Sequence, residues 1–259
     1  MNHANPVFIP GPTNLPESVR RSIDLPTIDH RSPAFAEAMP ELFAGLRSIF
    51  SLENGHIFIF PSTGTGGWEA TISNTLSKGD RVLACRHGVF SDKWIRMCEA
   101  FGLIVDVIEC DWRGPADPTR IEALLNADRD QSIKAVLATH NETATGVRSD
   151  LKAIRDAIDR AGHQAMFFVD GVSSIASMDF QMDAWGIDAA VTGSQKGFML
   201  PAGLAIVAIS EKAIEATQTA TLPRFFFDFK HMEQMTNQGG FPYTPPMQLL
   251  AGLQHAIEL

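Results

Sequence analysis

From residue 56 onward, short apolar runs alternate with amphipathic stretches, and few architectures satisfy that alternation. An apolar run too short for a helix is a strand buried on both faces, and parallel strands need crossover segments that cover the sheet. The runs predict strands at 56–60, 81–85, 104–109, 134–139, 165–170, 187–192 and 203–209. Between them, helices are expected at 66–77, 92–101, 118–127 and 151–161. The last carries Leu151, Ile154, Ala157, Ile158 and Ala161 at helical spacing, a stripe that belongs to the core. Ser149 or Asp150 caps that helix, and Asp117-Pro118 opens the one before it. The expected fold class is α/β, a mostly parallel seven-stranded sheet flanked by helices, with no internal repeat or low-complexity tract.

Both ends depart from this pattern. The first 50 residues carry Pro6, Pro10, Pro12, Pro16, Pro26, Pro33 and Pro40. They are expected to wrap over the surface before one helix near 34–50, as an arm able to reach a partner subunit. After Thr217 the alternation ends, and Pro242, Pro245 and Pro246 break the chain before a final helix from about 247. The expected division is an N-terminal arm and helix over 1–50 and one large domain over 51–259.

A net charge of -9 argues against a nucleic-acid footprint, which needs clustered Lys and Arg. Cys85, Cys98 and Cys110 form no C-x-x-C pair, so neither a metal site nor a disulfide framework is indicated, and reduced, half-buried thiols are expected. The start, Met-Asn-His-Ala-Asn-Pro, lacks the features of a signal peptide. No segment approaches the roughly 20 apolar residues of a membrane helix, and a cytoplasmic location is the expectation.

In an open parallel sheet, ligands sit beyond the carboxyl ends of the strands. Three such ends carry polar signals. Pro61-Ser62-Thr63-Gly64-Thr65-Gly66-Gly67 follows a strand and opens a helix, so its backbone can approach an anion at the positive end of the helix dipole. It lacks both the Lys-Ser/Thr of a P-loop and the G-x-G-x-x-G spacing of a dinucleotide site, and alone it reads equally as a tight turn. Asp170 ends a hydrophobic strand before Gly171-Val172-Ser173-Ser174, where its carboxylate can keep a pyridinium nitrogen protonated; an Asp in that place is also an ordinary turn former. Lys196, in Val-Thr-Gly-Ser-Gln-Lys-Gly at 191–197, follows another strand. Lysines are mostly solvated, but one shielded from water loses proton affinity and becomes the amine that condenses with an aldehyde. Together the three signals suggest a site for pyridoxal 5'-phosphate.

The ordered set Ser-Thr-Gly-Thr-Gly-Gly-Trp-Glu-Ala, Thr-His-Asn-Glu-Thr-Ala-Thr-Gly-Val, Phe-Val-Asp-Gly-Val-Ser-Ser and Thr-Gly-Ser-Gln-Lys-Gly resembles the class V, fold type I pyridoxal-phosphate aminotransferases, in their serine/alanine/aspartate-glyoxylate branch. Pro-Gly-Pro-Thr-Asn at 10–14 and Pro-Tyr-Thr-Pro-Pro at 242–246 are similar to that branch too. The resemblance implies that Lys196 bonds to the cofactor and then shuttles the substrate proton, while Asp170 holds the ring nitrogen. It implies Thr63, Gly64 and Thr65 at the phosphate with Gln195 beside them, Phe90 stacked on the ring, Val172 on its other face and Thr143 near the 3'-oxygen. Thr244 is implied to reach the phosphate of a neighbouring subunit, which means a homodimer with shared active sites. The implied reaction moves an amino group from serine, aspartate or alanine to glyoxylate, so the partners are small amino and 2-oxo acids.

Members of that branch add a small C-terminal domain of about 100 residues or more holding the arginine that binds the substrate carboxylate. That domain and arginine are expected to be missing here, so an alternative is a truncated non-catalytic cofactor-binding or dimerisation remnant. A lyase or desulfurase of the same fold is the other alternative, although the desulfurase needs a cysteine on a later loop than Cys85, Cys98 or Cys110. His30-Arg31 and His140 remain open as carboxylate or proton partners. Trp68 and Trp94 are expected to be packing, and Arg224-Phe225-Phe226-Phe227 a subunit contact.

Overall fold

The computed structural model describes residues 6–26 and 28–259. Two helices come first, α1 (Glu17–Ile23) and α2 (Pro33–Phe50), the second started by Ser32, whose hydroxyl accepts from the Phe35 N–H. The alternation then begins with β1 (His56–Ser62), α3 (Gly64–Thr75), β2 (Arg81–Arg86), α4 (Val89–Ala100), β3 (Ile104–Glu109), α5 (Pro118–Ala127) and β4 (Ile133–Thr139). A short hairpin, β5 (Asn141–Glu142) with β6 (Val147–Arg148), precedes α6 (Leu151–Arg160), β7 (Met166–Asp170), β8 (Ala189–Gly193) and β9 (Gly203–Ile209). Three helices close the chain: α7 (Glu211–Ala216), α8 (Phe229–Thr236) and α9 (Met247–Glu258).

Seven strands form one sheet in the order β1-β9-β8-β7-β4-β2-β3. All seven expected strands are present, and only β9 runs against the others, through antiparallel ladders with β1 and β8. The strands are apolar nearly throughout because both faces are covered; β7 and β8 are buried at every residue. The α6 stripe faces inward through Leu151, Ile154, Ala157 and Ile158, and Asp150 rather than Ser149 caps it by accepting from the Ala153 N–H. Helix α3 approaches the sheet unusually closely. A Cβ on Gly67 would lie 2.5 Å from Val191 Cγ1, so the glycine sets the distance between α3 and β8.

This topology places the site. β1, β2, β4, β7 and β8 point the same way, so the segments after their carboxyl ends share one edge of the sheet. Register tightens the grouping, because Thr139 pairs with Asp170 and Asp170 with Val191. The N-terminal arm also makes a contact within its own chain. Beyond running over the surface, it reaches the chain's own Lys196 loop, where the Thr13 N–H donates to the Gln195 carbonyl at 3.2 Å.

Candidate active site

Asp170 is the electrostatic centre of this edge. Burial pushes its carboxyl up to about 7, and the negative charge of Glu142 adds to the rise. The Val172 N–H opposes it by donating to Oδ1 at 3.0 Å. The Lys196 charge and the Trp68 indole, which faces the carboxylate without closing a hydrogen bond, oppose it further. A buried carboxyl with so little cationic compensation is suited to a cation or protonated nitrogen brought in by a ligand.

Lys196 sits in the turn after β8, half-buried, and burial lowers its proton affinity while Asp170 partly restores it. Its side chain lies along the N-terminal arm. A Cβ on Gly11, whose φ is 154°, would come 2.3 Å from Lys196 Cδ and 2.9 Å from Cε. Gly11 therefore gives the lysine its channel, and the Thr13 hydroxyl donates to the Lys196 carbonyl at 3.4 Å. Neither residue was assigned a role from sequence; the Pro-Gly-Pro-Thr-Asn run was the available signal.

Thr63 is the N-cap of α3, yet its side chain makes no capping hydrogen bond. Thr63 and Thr65 are exposed, while Gly64 is buried against Val172, whose Cγ2 would meet a Cβ there at 2.4 Å. The first turn of α3 thus presents N–H groups and two hydroxyls with no internal partner, as an anion cradle requires. Gln195 closes the other side: its buried Oε1 lacks a partner, and both it and the Gly64 nitrogen lie beside Gly193. Which end of an amide faces inward is interchangeable, so Gln195 can present donors to the same anion.

Phe90 is half-buried in the first turn of α4, and Thr143 is half-buried in the turn of the β5–β6 hairpin. Glu142, a residue not singled out from sequence, lies between them. Thr244 lines a different cavity. It is exposed and shares that cavity, of about 510 Å³, with His30, Arg31, Gln238 and Tyr243 and with none of the other expected site residues.

His140 is packed inside the molecule. It is buried, its Nδ1 lies 2.9 Å from Ser174 Oγ, and burial lowers it to about 4 with help from the Arg148 charge. Its N–H donates to the Asp170 carbonyl, so it braces β7. Trp68 and Trp94 stack with centroids 5.6 Å apart, as packing residues should, although Trp68 also borders Asp170. Arg224 spends its donors on backbone carbonyls, and Phe225 is 84% exposed. Cys85 and Cys98 are fully buried and only Cys110 is partly so, a deeper placement than the half-burial expected for all three. Among the described residues no helix is long and apolar enough to cross a membrane.

A deep carboxylate, a desolvated lysine and an uncapped helix start, on one edge of a mostly parallel sheet, fit a phosphorylated pyridine aldehyde. The family model for class-V aminotransferases matches residues 20–259, and the chain belongs to that family. Its cofactor is accordingly pyridoxal 5'-phosphate, and the fold is the large-domain fold of type I enzymes. Among curated relatives, the L-aspartate–glyoxylate aminotransferase of Paracoccus denitrificans is 55% identical over 258 residues, covering all of this chain and 65% of its own length. The serine–glyoxylate aminotransferase of Methylorubrum extorquens is 48% identical, over 98% of this chain and 64% of that protein. This chain therefore spans just under two thirds of their length. An aspartate aminotransferase of subgroup IV from Thermus thermophilus superposes with a TM-score of 0.90 at 27% identity, covering 98% of this chain and 70% of that one.

Proposed function

We propose that the protein transfers the amino group of a small amino acid, with serine, aspartate and alanine as the candidate donors, to glyoxylate, giving glycine and the donor's 2-oxo acid. The observation that carries this is the pairing of a buried, charge-seeking Asp170 with a desolvated Lys196 beside an uncapped helix start. The printed activities of the Paracoccus and Methylorubrum relatives support the choice of glyoxylate.

When bound, pyridoxal 5'-phosphate supplies an aldehyde for covalent attachment and a protonated ring that accepts an electron pair. Asp170 holds the ring nitrogen and keeps its proton. Lys196 Nζ would be the attachment point and, when free, the base positioned to move the donor's α-proton. Burial serves both tasks, because a lysine kept fully protonated could do neither. Thr63, Gly64 and Thr65 hold the phosphate at the α3 N-terminus with Gln195 opposite. Phe90 and Val172 hold the two ring faces, and Thr143 the 3'-oxygen. Thr244 acts across a homodimer interface on the partner subunit's phosphate. We assign this work to a large domain over 51–259 and place it in the cytoplasm.

Because amino donation and acceptance use the same site in turn, the kinetics are ping-pong. A single-turnover screen tests the proposal: each amino acid is mixed with cofactor-loaded protein and conversion to pyridoxamine phosphate is followed, then glyoxylate or pyruvate is added. Conversion by one of the named donors and reversal by glyoxylate is the expected result. No conversion by any amino acid refutes it.

A further inference from the structure

Glu142 is completely buried, and its hydrogen-bond partners are backbone N–H groups. Its two oxygens receive the Phe90 N–H at 3.1 and 3.2 Å, the Ser91 N–H at 3.0 Å and the Ala144 N–H at 3.2 Å. The hydrogen bonds its oxygens accept all come from backbone donors, which suits a carboxylate better than an amide, and the start of α4 adds a favourable dipole. The chain makes room for it on purpose. A Cβ on Gly88 would lie 2.1 Å from Glu142 Cγ and 2.3 Å from Cδ. Gly88 has φ 171°, an extended conformation open to any residue, so the requirement there is space.

Burying an acid this completely costs several kcal/mol unless its contacts repay it, and a 12-residue surface helix can be capped by a serine. What the glutamate adds is reach. On one side it grips the turn that carries Phe90. On the other it sits in β5 next to Thr143, just past the end of β4, where the His140 N–H holds the Asp170 carbonyl at 2.9 Å. One side chain therefore ties the turn bearing the ring-stacking residue to the hairpin bearing the 3'-oxygen contact, and that hairpin follows directly on the strand end that holds the Asp170 segment.

We propose that Glu142 is a positioning residue of the cofactor site, a clamp that fixes the Phe90 ring relative to Thr143 and Asp170. This rests on the cofactor roles given under the proposed function. A mere helix cap would support α4 and leave the cofactor indifferent. A clamp acts on the cofactor through Phe90, so its effect vanishes when the Phe90 ring is removed.

The test uses pyridoxal 5'-phosphate itself, titrated into the wild type, Glu142→Gln, Phe90→Ala and the double variant. Absorbance reads attachment and affinity, and visible circular dichroism reads how rigidly the ring is held. Glu142→Gln should still attach the cofactor, because Lys196 is untouched. Its affinity should fall ~10-fold or more, its dichroism should drop to the level of Phe90→Ala, and the double variant should bind within about twofold of Phe90→Ala. Gly88→Ala, which displaces the carboxylate from the opposite side, should behave alike and stands in if Glu142→Gln does not fold. Wild-type affinity and dichroism in Glu142→Gln, or losses that multiply in the double variant, overturn the clamp. A wild type that takes up no cofactor overturns the underlying functional proposal instead, a result visible before any variant is compared.

Discussion

At the scale of single residues, the site depends on charges that burial has shifted. Replacing Lys196 by alanine removes the proposed attachment point, so the pH-sensitive band at about 410–430 nm expected of the loaded wild type should be absent. Equal spectra for the two proteins would mean that another amine holds the cofactor. Asp170 gives a prediction for the ligand-free protein. Its carboxyl titrates at about 7 when folded, against about 3.9 in an unfolded chain. Below about pH 4 both states hold the proton; between about 4 and 7 only the folded state does, so the contribution of Asp170 to stability is lost as pH rises through that window. Unfolding free energies from urea titrations should therefore decline over this range more steeply in wild type than in Asp170→Asn. Matching slopes would place Asp170 in a more polar setting than its burial indicates. Lys196 and Asp170 were legible in the sequence because Asp170 ends a recognisable strand and Lys196 follows one, whereas Gly11 and Glu142 were not. Gly11 matters only through an arm folding back across the molecule, and Glu142 only through a contact 52 positions away in sequence.

At the scale of elements, the sheet was readable because doubly buried strands leave continuous apolar runs, and all seven were found. Three helices escaped. α1, α7 and α8 span 7, 6 and 8 residues, too few turns to show a periodic stripe before tertiary contacts supply their stability. The β5–β6 hairpin is shorter still, with two residues per strand. Helix α3 shows an opposing pair of effects. Gly67→Ala improves helix propensity by about 1 kcal/mol, yet it places a methyl group 2.5 Å from Val191 Cγ1, between two fully covered layers. Overpacking of that kind costs about 1–3 kcal/mol, and there is no flexible chain end to yield. A net loss of up to about 2 kcal/mol in chemical denaturation is expected, along with weaker cofactor uptake, because β8 carries the loop of Lys196. A stabilised variant would mean that α3 can shift away from the sheet without penalty.

At the scale of the whole molecule, the placement of Thr244 is the most informative feature. It lines the cavity of His30 and Arg31, whose lining includes none of the cradle residues, and the exposed Phe8 and Phe225, at 92% and 84%, are apolar surface that a second copy would cover. In the proposed homodimer each site draws Lys196 from one subunit and Thr244 from the other. Mixing two damaged chains tests this arrangement. Lys196→Ala alone cannot attach the cofactor, and Thr244→Val alone should hold it weakly. In a mixed dimer, the site built on the Thr244→Val chain has its own Lys196 and receives an intact Thr244 from the partner subunit, so it is whole; the other site carries both defects. Tight cofactor binding should therefore reappear on co-expression, in up to one site per mixed dimer. If Thr244 served the site of its own chain, no pairing of the two variants would contain a complete site, and mixtures would bind no better than the Thr244→Val protein alone.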